Sequence, residues 1–84
     1  MKTLRTKAHQ KLVEELKRSR LNAGLTQAKL ARALDVQQSW VAKTENGERR
    51  LDVVEFAAWL DECGELQNAS EIIADIQSIA SSSK

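Results

Sequence analysis

Residues 25–47 read LTQAKLARALDVQQSWVAKTENG, and the fold follows from how little chain separates the two helical patterns inside this stretch. The first pattern opens at Thr26, whose hydroxyl is suited to accept from an orphan first-turn amide. It carries Ala28, Leu30, Ala31 and Leu34, with Leu30 and Leu34 one turn apart on one face. The second spans about Gln38 to Glu45 and turns Val41 inward, helped by Thr44. Only Asp35, Val36 and Gln37 lie between them. A connection that short forces two helices to cross steeply, and the small side chain of Ala31 permits their close approach. Asp35 stands where the turn calls for positive φ, which Gly adopts most easily and Asp tolerates. Val36 then plugs the corner.

This is the helix-turn-helix geometry, and the residues that make it resemble the phage-repressor/Cro-like, or XRE, family of DNA-binding proteins. The matching text is GLTQAKLA in Gly24–Ala31, QSWVAKTENGER in Gln38–Arg49 and RLDVVEF in Arg50–Phe56. Together these segments carry the resemblance over roughly residues 9 to 66. Two positions depart from the family pattern. Asp35 replaces the usual Gly, and Thr44 replaces a large apolar or aromatic residue, which lightens the core under the second helix. The resemblance implies an all-α fold, a five-helix bundle of the lambda-repressor-like type, and a two-fold homodimer on double-stranded DNA. It also implies that Arg20 pairs with Glu45 as a semi-buried structural bridge. A guanidinium suits that task, being always charged and bidentate.

Outside the motif the chain is short of strand and turn formers. Eighty-four residues with no Pro, no Tyr and three Gly allow one domain, residues 1–84, with a small helical core. Met1–Lys7 shows no periodicity and carries three cations; it reads either as a basic arm touching phosphates or as a frayed terminus. A first helix runs from about Ala8 to Ala23 and stops at Gly24, with Leu12, Val13, Leu16 and the stem of Arg20 buried. His9 reads as a surface or half-buried residue near the helix start, without a metal-ligating neighbour. A fourth helix is punctuated by Asp52 and Glu55 as a capping box and by Leu51 with Phe56 as a hydrophobic staple. Its apolar face comprises Val53, Phe56, Ala57, Leu60 and Cys63, ending at Gly64. After Glu65–Gln67, Asn68 and Glu71 offer another cap for a fifth helix reaching about Ala80, and residues 81–84 form a polar tail. Ile72, Ile73, Ile76 and Ile79 line one side of that helix.

Residues 1–50 carry a formal charge of +7 and residues 51–84 a charge of −6. A basic half that also holds the motif points to a polyanion on one side of the molecule. Gln38, Ser39 and Lys43 are the expected base contacts, because Gln bonds adenine N6/N7, Lys reaches guanine O6/N7 and Ser serves either base or phosphate. Gln27, Gln37, Trp40, Asn46, Arg49 and Arg50 are the expected backbone contacts, Gln27 through its place at a helix N-terminus. Trp40 has a second reading, as a partly exposed structural residue. The acidic half offers Trp59, Leu66, Ile72, Ile76 and Ile79 as a dimer interface, unless these residues close the monomer core.

The single cysteine, Cys63, excludes an internal disulfide and a Cys-rich metal site, and reads as a small core hydrophobe. No nucleophile–base pair, metal set or phosphate-cradling Gly loop is present in the sequence, so no enzyme activity, cofactor or metal is expected. No apolar run reaches the ~18 residues of a membrane span and no signal pattern opens the chain. The expected setting is therefore cytoplasmic. The sequence supports a transcriptional regulator, in the first place a repressor. The alternative is an antitoxin-type module that masks a toxin or other protein partner through its C-terminal half.

Overall fold

The computed structural model describes residues 6–82, and residues 1–5 of the expected arm and 83–84 of the expected tail lie outside that range. The described residues form α1 (Lys7–Asn22), α2 (Gln27–Leu34), α3 (Gln38–Glu45), α4 (Val53–Glu62), a 3₁₀ turn (Leu66–Asn68) and α5 (Ala69–Ser82), with no strand among them. This is the all-α, five-helix arrangement that the sequence implies. Among the described residues no helix is long and apolar enough to cross a membrane.

Local chemistry sets each boundary. The Thr6 hydroxyl accepts from the His9 N–H at 3.1 Å, so Thr6 and Lys7 cap and open α1 rather than extend the arm. The Thr26 hydroxyl accepts from the Lys29 N–H at 3.1 Å, as its residue type predicts. Asp35 takes the left-handed conformation with φ 58°, and its N–H and that of Val36 close the end of α2 on Arg32 and Ala31 carbonyls. At α4 both halves of the capping box form: Glu55 N–H to Asp52 Oδ1 at 2.7 Å and Asp52 N–H to Glu55 Oε1 at 3.0 Å. The fifth helix departs from expectation at both ends. Its N-terminus grows directly out of the 3₁₀ turn, where the Asn68 amide donates to Glu65 Oε1 at 3.3 Å. Its C-terminus continues to Ser82, two residues into the expected tail.

The core joins Leu16, Leu30, Ala31, Val41, Phe56, Trp59, Leu60, Cys63 and Ile72. Leu12, Leu34, Val36, Leu51 and Ile76 pack against its edge. The Trp59 indole is fully enclosed and donates from Nε1 to the Leu16 carbonyl at 3.0 Å, tying α4 to α1. Two sequence expectations are corrected here, the burial of Val53 and the exposure of His9. Trp59 and Ile72, which the sequence leaves open between interface and core, are both buried in the core, and α5 lies along α1. Ile76 is half-buried against the same core and Ile79 is half-buried. Val53 is 73% exposed, since the first turn of α4 projects past the layer that buries Phe56 and Leu60. His9 is buried, 8% exposed, because it continues the inner stripe of α1 one and two turns before Leu12 and Leu16. Of the residues that the sequence offers for an interface, Leu66 is exposed, and so is Ile73 on the isoleucine stripe.

Candidate nucleic-acid interface

The short helix α3 has two faces of different chemistry. Val41, Thr44 and Glu45 are buried, while Gln38, Ser39 and Lys43 are exposed and Ala42 lies half-buried between them. Val41 is the only aliphatic anchor among the three. The Thr44 hydroxyl spends its proton on the Trp40 carbonyl at 2.8 Å, which makes a polar side chain tolerable in a fully enclosed position. Thr44 thus fills an enclosed position with a polar side chain, and polar ties help to hold the helix.

The first tie is the pair implied by the family resemblance. Arg20 Nε and Nη2 both donate to the Glu45 carboxylate, and its Nη1 donates to the Leu25 carbonyl at 2.8 Å. Both side chains are nearly enclosed, 8% and 2% exposed. Such a fork fixes orientation as well as distance. The Gln27 amide joins it, donating from Nε2 to Glu45 Oε1 at 3.1 Å. Three elements, α1, α2 and α3, thus meet on one carboxylate. The Gln27 bond was not legible beforehand, since Gln27 and Glu45 stand far apart in the chain and only the turn brings them together.

The second tie involves Trp40, which is half-buried on the core edge with its ring centroid 6.2 Å from that of Trp59. The Arg49 guanidinium carbon sits 4.3 Å over the Trp40 ring, close enough for a cation–π contact. Arg49 Nη2 also reaches Glu55 Oε2 at 3.5 Å, while Nη1 is sealed from solvent without a hydrogen-bond acceptor. Gln37, Ser39, Trp40, Lys43, Glu48 and Arg49 line an open groove of about 500 Å³ along this side of α3. Glu48, absent from the expected set, contributes a carboxylate there and accepts from the Asn46 amide at 3.3 Å.

The expected base contacts therefore lie together on one exposed helix face. Among the expected backbone contacts, Gln37, Asn46 and Arg50 are exposed at the two ends of α3. Gln27, Trp40 and Arg49 already have protein partners, and the exposed Asn46 amide donates to Glu48. Arg50 also acts on the buried His9 ring. Burial first, and the Arg50 charge second, hold the His9 imidazole below its ordinary pKa. Its Nε2 has no hydrogen-bond partner. In the core behind the site, burial raises the Cys63 thiol above its usual range, which fits an inert buried thiol.

A family model described as a helix-turn-helix domain matches residues 11–68, spanning α1 through the 3₁₀ turn. No curated protein matches the chain.

Proposed function

The chain belongs to the helix-turn-helix domain family, and from that premise we propose that it is a sequence-specific regulator of transcription, a repressor that reads duplex DNA with α3. The carrying observation is the division of α3. Its inner face is fixed by Val41, Thr44 and the Arg20–Glu45–Gln27 junction, and its outer face leaves Gln38, Ser39 and Lys43 free. These side chains carry the donors and acceptors that distinguish base edges in the major groove. Gln37, Asn46 and Arg50 flank them and supply contacts to phosphates, which set register without reading sequence.

One helix-turn-helix reads few base pairs, so specificity calls for two half-sites and a two-fold homodimer with recognition helices about 34 Å apart. With Trp59 and Ile72 committed to the core, Leu66 and Ile73, 46% and 50% exposed, are the better candidates for the contact between copies. The exposure of Val53 and Val54 in the same acidic half also supports the second reading, a protein-binding antitoxin.

Selection of bound duplexes from a random pool, followed by titration in increasing salt, tests the proposal. A near-palindromic consensus is expected, with affinity falling steeply as salt rises. A pool that yields no enriched sequence contradicts it. Stable capture of a partner protein with no duplex affinity supports the antitoxin reading instead.

A further inference from the structure

We propose that Arg49 is a positioning residue for α3: its guanidinium, stacked on Trp40 and bridged to Glu55, sets the angle at which the helix meets DNA, rather than clamping a phosphate. This rests on the DNA-binding reading above and goes beyond it by separating Arg49 from the residues that touch the duplex.

The first support is the weakness of α3's own anchoring. The helix is eight residues long, has no side-chain bond at its N-cap and buries one aliphatic residue. Its C-terminal turn is fixed by Glu45, but the junction with Arg20 and Gln27 leaves the N-terminal turn unheld. Trp40 is the large side chain in that turn, and it reaches the core at Trp59. The Arg49 guanidinium carbon lies over the Trp40 ring at 4.3 Å. The indole thus touches both a buried ring and a guanidinium plate.

The second support is what the guanidinium has left to give. Nη2 meets Glu55 at 3.5 Å, and Nη1 is enclosed without an acceptor. With the guanidinium over an aromatic face the enclosed Nη1 can gain from the π system, and a phosphate cannot reach that nitrogen, although the side chain as a whole is 28% exposed. Glu55 is itself immobilised, since its other oxygen closes the α4 capping box. The linkage therefore runs from a capped helix start, through Arg49, to the helix that carries Gln38, Ser39 and Lys43. It also forms one wall of the groove beside Lys43.

Two substitutions separate positioning from clamping. Arg49→Lys keeps the charge for a phosphate but loses the flat plate and the fork. Glu55→Gln keeps a residue competent in the capping box and removes the ionic partner of Arg49. Each is measured against the selected duplex and a scrambled one, and by amide and indole NMR of the free protein, below the thermal midpoint of each variant. Positioning predicts that both variants lower the ratio of selected to scrambled affinity by about tenfold, within the range of one good base contact. It also predicts displaced resonances for the Trp40 indole and for Gln38–Lys43. A clamp predicts an unchanged ratio, with Glu55→Gln strengthening both duplexes alike, and unmoved α3 resonances; that outcome overturns the inference. Wild-type protein that binds no duplex overturns the function proposed above. In that case unmoved α3 resonances in Arg49→Lys overturn the positioning role as well, and displaced ones sustain its structural part.

Discussion

The neighbouring helices α3 and α4 are held in place by opposite means. α4 buries Phe56, Trp59 and Leu60 and is closed at its start by a complete capping box. α3 buries Val41, Thr44 and Glu45 and has no side-chain cap. One helix is specified by its own sequence and by apolar burial, whereas the other is held by partners contributed from α1, α2 and the segment after it. The difference matters for function. A helix fixed by a broad apolar stripe has less surface left for a ligand, while one fixed by a few directional bonds can present nearly half its circumference. Ion pairs also fix an angle more sharply than greasy contacts do, because a bidentate fork tolerates little rotation.

The largest effects should come from the two anchors themselves. Arg20→Ala strands the Glu45 carboxylate in an enclosed site and should cost roughly 3–5 kcal/mol. Trp59→Ala opens a cavity and removes the indole bond to the Leu16 carbonyl, which keeps its bond from the Ser19 hydroxyl, with a similar expected loss of roughly 3–5 kcal/mol. Urea unfolding measures both. The two differ in repair: replacing Arg20 and Glu45 together by Met and Leu should recover much of the stability, since a buried ion pair rarely outperforms good apolar packing. If Arg20→Ala costs under about 1 kcal/mol, the range of an exposed pair, α3 is not held as described. The nearby Arg18–Glu65 pair supplies the control. Its arginine is 39% exposed against 8% for Arg20, so Arg18→Ala should cost less than Arg20→Ala, although Glu65 is itself 13% exposed.

Next in size is the cap that α4 has and α3 lacks. Asp52→Ala should cost about 1 kcal/mol, and the same substitution at Gln37, which caps nothing, should leave thermal stability unchanged. Asp35→Gly should act in the opposite direction, raising stability by up to about 1 kcal/mol, because φ 58° at Asp35 is a conformation that Gly adopts without strain. A loss of stability on Asp35→Gly would show that the side chain does more than tolerate the turn.

The smallest effect concerns pH. His9 titrates below its ordinary value of 6.5 in the folded chain because it is buried beside Arg50. Between that lowered value and 6.5 the unfolded chain binds more protons, so the stability present in full above this window should be lost progressively as pH falls through it. His9→Leu should flatten that part of the stability profile, as followed by denaturant midpoints across the window. A profile that keeps its slope in His9→Leu places the titration elsewhere.

Much of α3's surroundings was legible in the sequence because the decisive signals were local. Thr26, Asp35, Asp52 and Glu55 announce the helix ends by residue type, and Leu30, Leu34 and Val41 by spacing. What could not be read were contacts across turns. The Gln27–Glu45 bond and the Arg49–Trp40 stack join residues whose separation matches no periodicity. The burial of His9 is hidden for another reason: it sits on the α1 stripe with Leu12 and Leu16, but an imidazole does not advertise burial. The isoleucines of α5 mark one apolar side without revealing that α1 takes Ile72 and leaves Ile73 exposed. The role of each outer residue of α3 toward DNA is a matter of what it meets in a second molecule, which no pattern within one chain contains.

Measuring Lys43→Ala against the selected duplex and against a scrambled duplex of equal length tests most directly whether α3 reads sequence. Lys43 is exposed on the outer face of α3, so folding should be untouched. The account predicts a loss of about 1–3 kcal/mol on the selected duplex, confined to one base position, with binding to the scrambled duplex weakened far less. An equal loss on both would make Lys43 a phosphate contact and contradict base reading by this face.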